Sequence, residues 1–236
     1  SDLIVPSGKV TGCLPRKTKY GDCCKLLSDE IEIIPRDKWP GLIGRVNLRP
    51  FVNQIFDQGD AGSCATESTS QGAMIVRAVE GKPFELLNPW SIYHWTSGGV
   101  DGGSSIDENL IHAREFGILP EAYWPRSKGW RAAPPADWKV RAVDYKIDEF
   151  FDIGTVDELG TALIEGFPVV FGWKGHSCIF TSLQSLLMAE YVNSWKVTWG
   201  DQGFGTLGLS AVNWGYGAFA VKTMTHATPD PDVPGA

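Results

Sequence analysis

The stretch "DQGDAGSCATES", residues 57–68, places Cys64 between a glycine-rich turn and the start of a helix. The chain continues as "SCATESTSQGAMIVRAVEG", whose apolar residues recur at helical spacing and predict a helix from about Ser63 to Glu80, stopped by Gly81. The free N–H groups at a helix N-terminus stabilise an anion, which favours the thiolate of a cysteine there. Cys64 is therefore a candidate nucleophile, and the alternative is that it is a small buried apolar side chain.

Four histidines could supply the base that a cysteine nucleophile needs. His94 and His112 lie in the same half of the chain as Cys64, and we interpret both as structural residues. His226 lies in the polar stretch "THATPDP" and is expected to be solvated. His176 follows "WKG" and opens an apolar run in the other half. It is therefore the histidine expected to face Cys64 across a cleft.

Further side chains complete the predicted site. Asn193, in "YVNSWKVTWGDQGFG", follows the strand after that of His176, so strand pairing would bring its amide to the imidazole and orient the ring. Trp195 would cover that hydrogen bond and exclude water. Gln58 lies six residues before Cys64 and could donate to an oxyanion together with a backbone N–H at the helix start. Asn193 alone would be interpreted as a turn residue, and Gln58 alone is weak evidence, whereas together these residues suit acyl transfer.

Helices are predicted in the first half of the chain and strands in the second. A further helix is predicted in "SSIDENLIHAREFG", closed by Gly117. Another begins at the capping box Thr155 to Glu158 and ends at Gly166. Strands are predicted for the short apolar runs "PVVFGW", "HSCIFTSL", "LMAEYVN", "FGTLGLS" and "AFAVKTM". This order indicates an α+β protein with two lobes, and a cleft between lobes is a usual place for a site.

The charge and the hydropathy pattern exclude several kinds of partner. With 21 Lys and Arg against 28 Asp and Glu, the net charge of -7 argues against nucleic acid or an anionic membrane surface. No run approaches the roughly 18 apolar residues of a membrane-spanning helix. The opening "SDLIVPSGKV" lacks the basic-then-apolar pattern of a signal peptide. With 43% hydrophobic residues, the chain can bury one core or two half-cores that share an interface.

Five cysteines are an odd number, so at least one thiol has no partner within the chain. Cys13, Cys23 and Cys24 crowd into the first 24 residues, where a disulfide from Cys13 to Cys23 or Cys24 would hold a polar segment. Three ordinary thiols in a mobile leader are the alternative. The Cys23-Cys24 pair lacks the spacing of metal ligands and no second Cys/His cluster is present, so we expect no metal site.

Several motifs resemble the papain family of cysteine peptidases. "NQIFDQGDAGSCATES" resembles its active-site signature, and "NSWKVTWGDQGFG" is similar to its Asn-Ser-Trp segment. "GVDGGSS" falls where the family has a Gly-Gly loop, and "DENLIHAREFGILPEAYWP" resembles the helix and Tyr-Pro turn that follow. The similarity runs from about Ile34 to Met224. It implies a two-lobed papain-like fold: a helical left lobe whose central helix starts at the nucleophile, an antiparallel β-barrel right lobe, and the active site in the cleft between them.

The resemblance also implies residue roles. Cys64 would be the nucleophile, His176 the general base and acid, Asn193 the orienting residue and Gln58 an oxyanion donor. The residues expected to bind substrate are Gly102 and Gly103 in the cleft, Gly172, Trp173 and Ser177 around the pocket, and Trp195. No cofactor is implied.

The chain departs from the family pattern at several positions. Ala65 replaces the aromatic residue after the nucleophile, and Lys174-Gly175 replaces the small pair before the histidine. Ala61 and Val100 stand where cysteines are common, so the typical disulfides are missing. The separation of Cys64 and His176, 176 − 64 = 112 residues, is shorter than the roughly 130 familiar for the class. These departures favour prokaryotic or phage-type members over lysosomal cathepsins.

The resemblance implies a cysteine endopeptidase that acts on a peptide or protein substrate. The alternatives are a cysteine amidase or transglutaminase-like acyl transferase, and a non-catalytic peptide-binding member of the fold. We expect a monomer, secreted or virion-associated rather than cytoplasmic, and residues 1–31 could inhibit by a route shorter than a long helical propeptide. The expected organisation is an N-terminal extension or short pro-segment at 1–31, a peptidase domain at 32–228 (helical lobe about 55–140, β lobe about 141–225) and a tail at 229–236.

Overall fold

The structure is a computed structural model that describes residues 3–224. His226 and the expected tail at 229–236 lie outside the described residues. The helices are α1 Leu27–Glu30, α2 Cys64–Val79, α3 Trp90–Thr96, α4 Ile106–Glu115, α5 Trp138–Ala142 and α6 Val156–Ile164. The strands are β1 Cys13–Leu14, β2 Ser104–Ser105, β3 Ile147–Ile153, β4 Val169–Trp173, β5 His176–Leu183, β6 Met188–Val192, β7 Phe204–Gly208 and β8 Ala218–Met224. Short 3₁₀ helices span Arg36–Gly41, Arg49–Phe51, Arg126–Lys128, Val143–Tyr145 and Leu209–Ala211.

The central helix α2 is buried along most of its length, from Cys64 to Val76. This segment is rich in hydroxyl side chains, and Ser68 and Thr69 donate to the carbonyl oxygen of Ala65 at 3.0 and 2.8 Å. Because hydroxyls satisfied within the helix can be buried at low cost, a helix of mixed polarity can occupy the centre of the protein. It packs against α4 as well as against β5 and β8, and so joins the two halves of the molecule.

The second half of the chain forms an antiparallel sheet with the strand order β3-β8-β4-β5-β6-β7. Among residues 3–224 no pairing joins the edge strands β3 and β7, so the expected barrel is observed as an open six-stranded sheet. Strand β3 was not among the strands predicted from the sequence. The predicted capping box of α6 is present, since Thr155 accepts from the Glu158 backbone and the Glu158 carboxylate accepts from the Thr155 backbone.

In the segment before α2, Pro35, Pro40 and Pro50 disfavour helix and predict an extended lead-in, and the structure differs from that prediction. Residues 36–41 and 49–51 form 3₁₀ turns, and Pro40 lies inside the first of them. Short 3₁₀ turns accommodate proline, which is why the absence of α-helix did not imply an extended chain. Trp39 is fully buried and its ring covers Gly160 of α6, where an added Cβ would lie 2.1 Å from the ring. Trp39 therefore attaches this segment to the β lobe.

A two-residue turn joins β4 to β5 immediately before His176. Trp173 pairs with His176, and the connecting Lys174 and Gly175 have φ values of 50° and 75°. Two consecutive residues with positive φ form the tight hairpin turn that matches the twist of antiparallel strands. The Lys-Gly pair that departs from the family pattern thus places His176 at the first position of its strand.

All five cysteines of the chain are free thiols. This agrees with the prediction of three ordinary thiols near the N-terminus, the alternative to a local disulfide. The segment that carries the first three cysteines is folded against the rest of the protein rather than mobile.

No helix in the described part of the chain combines the length and the apolar character needed to cross a bilayer.

Candidate active site

Cys64 occupies the first position of α2 and is inaccessible to solvent. Burial raises the pKa of its thiol to about 11, although the backbone N–H groups of Ser177, Gly12 and Ala65 hydrogen-bond to the sulfur and favour the thiolate. The protonated thiol is therefore the stable form at neutral pH while the sulfur is covered. Ala65 lies in the helical lobe, Ser177 lies in the β lobe, and Gly12 belongs to the N-terminal segment.

His176 lies at the start of β5 and is held on two sides. Its Nε2 is 2.7 Å from Oδ1 of Asn193, which follows β6. The indole ring of Trp195 stacks on the imidazole with a centroid distance of 4.3 Å and an interplanar angle of 22°. Burial lowers the pKa of His176 to about 4, and the hydrogen bond to Asn193 opposes this only in part. The imidazole is therefore neutral at physiological pH.

The hydrogen bonds of Asn193 fix the tautomer of His176. The backbone N–H of Ser194 donates to Asn193 Oδ1 at 2.7 Å, so this atom is the amide oxygen. Because an oxygen can only accept, Nε2 of His176 must carry the ring proton. Nδ1 is then an unprotonated acceptor, and it is buried without a hydrogen-bond partner among residues 3–224. A histidine in this state can accept a proton from a thiol.

Gln58 connects the turn before Cys64, residues 57–63, to the Asn-Ser-Trp segment. We call residues 57–63 the nucleophile turn. Its Oε1 accepts from Ser194 Oγ at 2.6 Å, and its backbone N–H donates to the Ser194 carbonyl at 2.9 Å. Its Nε2 donates to the carbonyl oxygens of Ala61 at 2.8 Å and Val10 at 3.2 Å. The amide predicted as an oxyanion donor thus points at two carbonyl oxygens, one in the turn before Cys64 and one in the N-terminal segment.

Residues 9–14 cross the cleft, and we call this segment the strap. Lys9 forms an ion pair with Asp57 of the nucleophile turn. The carbonyl of Gly12 accepts from the backbone of Ser104 at 2.9 Å, and the backbone of Cys13 donates to Gly175 at 2.8 Å. Strand β1 of the strap pairs in parallel with β2. The strap therefore contacts the nucleophile turn, the Gly-Gly loop and the turn between β4 and β5 that precedes His176.

The strap fits closely only because residue 12 is glycine. A Cβ on Gly12 would lie 2.0 Å from the carbonyl oxygen of Gly62, and a Cβ on Gly103 would lie 2.2 Å from the carbonyl oxygen of Gly12. Gly103 also has φ 95°, which side chains rarely adopt. The backbones of the nucleophile turn, the strap and the Gly-Gly loop thus pack at a separation that excludes side chains.

The Gly-Gly loop is held by two residues that the sequence did not single out. Tyr93 donates to Asp101 at 2.6 Å and accepts from the Gly103 backbone at 3.1 Å. Asp101 also accepts from the Gly62 backbone at 2.8 Å. This network attaches the loop to the turn before Cys64. Asp101 lies inside the recognised "GVDGGSS" stretch, whereas nothing in the sequence near Tyr93 indicated its role.

The remaining predicted pocket residues occupy different environments. Gly102 has open space around its Cα, and Gly172 is covered by Tyr216, whose Cβ would be 2.1 Å from an added Cβ. Trp173 packs into the core of the β lobe. The Ser177 hydroxyl is 2.6 Å from that of Ser68 on α2, in a fully buried pair. Substrate contacts at these positions and at Trp195 stay predictions.

A buried ion pair supports the start of α2. Arg126 donates to both carboxylate oxygens of Glu67, with distances of 3.1 and 2.6 Å, and Glu67 also accepts from Ser63 at 3.0 Å. The Arg126 guanidinium lies over the Trp90 ring, 4.5 Å from its centroid. Burial raises the pKa of Glu67, and the Arg126 charge opposes that rise. The partners are 59 positions apart, so no local pattern could have indicated the pair.

A possible metal-ligating cluster lies on another part of the fold. Ligand atoms of Cys23, Cys24 and Asp152 lie within 4.8 Å of one another. Both oxygens of Asp152 are engaged by Arg16, at 3.0 and 2.6 Å, so a cation would have to compete with a guanidinium for the carboxylate. The donor set therefore fits a metal ion poorly.

Comparisons with known proteins give matches at the level of structure. No protein-family model matches the sequence, and no curated protein matches it in a sequence comparison. Xylellain, a cysteine protease from Xylella fastidiosa, is similar with a TM-score of 0.71 and 18% identity over 94% of this chain and 100% of that one. Procathepsin L 3 from the larval midgut of Tenebrio molitor gives a TM-score of 0.65 and 16% identity over 86% and 77% of the two chains. The proform of the ragweed pollen cysteine protease Amb a 11 gives 0.62 and 18% over 75% and 66%.

These similarities confirm the predicted fold. The chain has the two-part helix and sheet architecture of papain-like cysteine proteases, with Cys64 at the start of the central helix and His176 on the sheet. Two of the similar structures are a procathepsin and a proform.

Proposed function

We propose that the protein is a cysteine endopeptidase that hydrolyses peptide bonds through Cys64 and His176. The observation that supports this most directly is the 2.7 Å hydrogen bond from His176 Nε2 to Asn193 Oδ1, which leaves Nδ1 as a base. A protein that only bound peptides would gain nothing from a histidine held in one tautomer. The position of Cys64 at a helix N-terminus supplies the second requirement, an environment that favours a thiolate once solvent reaches it.

In the first half of the reaction, Nδ1 of His176 takes the proton of the Cys64 thiol. The thiolate attacks the carbonyl carbon of the peptide bond, and negative charge develops on the carbonyl oxygen. Nε2 of Gln58 and the backbone N–H of Cys64 stabilise that charge, as donors placed before the reaction begins. Collapse of the tetrahedral intermediate breaks the C–N bond, and the imidazolium gives its proton to the departing amine.

In the second half, water hydrolyses the thioester that links the peptide fragment to Cys64. Nδ1 of His176 accepts a proton from the attacking water, and hydroxide adds to the thioester carbonyl. The same oxyanion donors stabilise the second intermediate. The C–S bond breaks, the carboxylic acid leaves, and the proton held by His176 returns to the sulfur. Asn193 keeps the ring in place through both halves.

Residues 1–31 act in this proposal as an autoinhibitory segment. The strap carbonyl of Val10 takes the Gln58 donor, and the backbone of Gly12 hydrogen-bonds to the Cys64 sulfur. A substrate needs the same space and the same donors. While the strap is in place, burial keeps both Cys64 and His176 uncharged, which opposes formation of the thiolate. Displacement of the strap is therefore the activating step.

The test combines peptide hydrolysis with labelling of the nucleophile. The full chain and Gly12→Ala, in which the strap cannot pack as described, are incubated with a fluorogenic peptide library and with an epoxysuccinyl inhibitor. We expect hydrolysis by both and covalent label on Cys64. Cys64→Ala should lose hydrolysis and label, whereas Cys24→Ser, which removes a thiol outside the cleft, should keep the label on Cys64.

The alternatives predict different results in the same assays. Tight binding of peptides by Gly12→Ala without any turnover would favour a non-catalytic peptide-binding protein. Clearing of a bacterial cell-wall zymogram, or amide exchange onto an added amine, with no peptide hydrolysis would favour the amidase or acyl transferase. Each of these results would overturn the endopeptidase proposal.

A further inference from the structure

Cys23 and Cys24 form an adjacent pair of thiols outside the cleft. Their sulfur atoms are 3.7 Å apart, and both side chains are half-buried free thiols. The catalytic proposal does not use either residue. A pair of sulfurs at this separation needs only side-chain rotation and a small backbone adjustment to reach bonding distance.

The surroundings of the pair distinguish the two sulfurs. The hydrogen bond between the two thiols, together with one from Thr18 and the charge of Arg16, lowers the pKa of Cys23 to about 7. The same interaction raises the pKa of Cys24, so Cys24 keeps its proton. A larger share of Cys23 is therefore thiolate at neutral pH than of a free cysteine, which is mostly protonated there. Cys23 has the character of an attacking thiol, and Cys24 that of the thiol that acts second.

The backbone around the pair is anchored to the rest of the fold. Arg114 of α4 donates to the carbonyl oxygen of Cys23 at 2.8 Å. The backbone of Asp152 in β3 donates to Lys25 at 2.9 Å, and its carboxylate accepts from Gly21 at 2.9 Å. These bonds hold residues 16–25, which follow directly on the strap. A change in the geometry of the Cys23-Cys24 peptide therefore acts on the anchor of the strap.

We propose that Cys23 and Cys24 are a reversible redox site that reacts with low-molecular-weight disulfides such as glutathione disulfide. The Cys23 thiolate attacks one sulfur of the disulfide, the S–S bond breaks, and one thiolate leaves. Cys24 then loses its proton to solvent and attacks the Cys23 sulfur of the mixed disulfide, which releases the second thiolate. The protein loses two hydrogen atoms and gains a Cys23–Cys24 bond, while the small disulfide is reduced to two thiols.

Two features make the product easy to reduce. Adjacent Cα atoms are about 3.8 Å apart, below the roughly 4.4–6.8 Å usual across a disulfide. The ring closed by a disulfide between Cys23 and Cys24 is therefore strained. Both sulfurs are also only half-buried. Strained and accessible disulfides are the labile ones, whereas structural disulfides resist reduction. The site therefore cycles between two states, and the oxidised state disturbs the hydrogen bonds of residues 16–25.

Peptide mapping by mass spectrometry tests the reaction on the full chain. After glutathione disulfide treatment, we expect the peptide that contains both residues to lose two hydrogen atoms, and dithiothreitol to restore it. Cys24→Ser should instead accumulate a glutathione mixed disulfide at Cys23, because the second step is blocked. Cys23→Ser should form neither product at more than a small fraction of that rate. The buried Cys13 and Cys178 should stay thiols in every sample.

Two further measurements bear on the order of attack and on the anchor. In Cys24→Ala, Cys23 lacks its hydrogen bond with the Cys24 thiol. Alkylation of Cys23 in this variant should therefore be several-fold slower at pH 7 than alkylation of Cys23 in the unmodified chain. Hydrogen exchange at residues 16–25 should become at least several-fold faster on oxidation, with exchange in α6 unchanged. A stable mixed disulfide on the unmodified chain, pairing of Cys13 with Cys23 or Cys24, or unchanged exchange at residues 16–25 would overturn the proposal. None of these readouts depends on peptide hydrolysis.

Discussion

Ser194 Oγ donates a hydrogen bond of 2.6 Å to Gln58 Oε1, which joins two residues 136 positions apart. This bond determines which end of the Gln58 amide faces the cleft, because Oε1 is occupied and Nε2 is directed away from Ser194. Ser194 also donates through its backbone to Asn193 Oδ1. One serine thus orients both Gln58, the proposed oxyanion donor, and Asn193, which holds His176.

Gln58→Ala should lower kcat/KM for peptide hydrolysis by about 10²- to 10³-fold, the usual loss when one oxyanion donor is removed. The loss should fall mainly on kcat, since the charge develops only in the transition state. Ser194→Ala keeps the donor but loses its orientation and should show a smaller loss. Steady-state kinetics of the two variants beside the unmodified chain test this order, and equal losses would contradict it.

Asn193→Asp should change the pH dependence of hydrolysis. A carboxylate beside Nε2 stabilises the imidazolium and raises the pKa of His176. Because the reaction needs the neutral imidazole as base, the acid limb of the kcat/KM profile should move to higher pH. Asn193→Ala should lower kcat on the order of 10²-fold through loss of ring orientation, with little change in KM. Full pH profiles of both variants are the measurement. An acid limb that stays in place in Asn193→Asp would argue that the carboxylate does not act on His176.

Gly12→Ala should raise peptide hydrolysis by the full chain several-fold. The new methyl group would lie 2.0 Å from the Gly62 carbonyl oxygen, so the strap must leave its position. Gly41→Ala is a matched control, since its Cβ meets nothing within 4 Å. Initial rates measured before any self-cleavage test the expectation. A rate for Gly12→Ala no greater than that for Gly41→Ala would argue against inhibition by the strap.

His112 should make the protein less stable as the pH falls. Burial lowers its pKa to about 4, below the roughly 6.5 of an exposed histidine, so the unfolded chain binds a proton that the folded chain does not. The free energy of unfolding should therefore decrease as pH falls from about 6.5 towards 4, by on the order of 1–3 kcal/mol from this residue. Below pH 4 this contribution becomes constant.

The variant His112→Phe removes the titrating group from a site already packed against the rings of Phe116 and Trp138. Urea unfolding at pH 7.5 and pH 5 should show a smaller difference for this variant than for the unmodified chain. The difference should not vanish, because burial also lowers the pKa of His176. An equal difference in the two proteins would mean that His112 does not titrate in this range.

Arg126→Ala should destabilise the fold by about 3–5 kcal/mol, because it leaves the buried carboxylate of Glu67 without its partner. The double variant Glu67→Gln with Arg126→Met should be less damaging, since neither residue then carries a charge. Arg141→Ala breaks a pair whose side chains are 60% and 51% exposed, and should cost less than about 1 kcal/mol. Denaturant unfolding of the three variants provides the comparison.

The relative positions of the proposed catalytic residues could be predicted because each residue has a recognisable local setting. Cys64 opens a periodic helix, and Asn193 lies at the end of the strand that pairs with β5, so their relation to His176 followed from element order. Much of the secondary structure could also be predicted from the sequence. The helix expected over about 63–80 is observed as Cys64–Val79. The strands of "PVVFGW" and "HSCIFTSL" are observed as β4 and β5.

The parts that the sequence did not indicate depend on distant contacts. The strap contains no periodic pattern, and its position follows from hydrogen bonds to residues such as Ser104 and Gly175. The Glu67–Arg126 pair and the role of Tyr93 arise in the same way. Strand β3 was missed because its residues, "IDEFFDI", mix buried and exposed positions without clean alternation, and its pairing with β8 is what makes it a strand.

The two-residue turn at Lys174 and Gly175 limits how this cleft can be redesigned. An inserted residue there would shift the register of β5 by one, and His176 would turn to the opposite face of the sheet. Loop grafting at this hairpin should therefore abolish activity whatever the sequence inserted. Substitutions aimed at substrate preference therefore have to keep this turn at two residues.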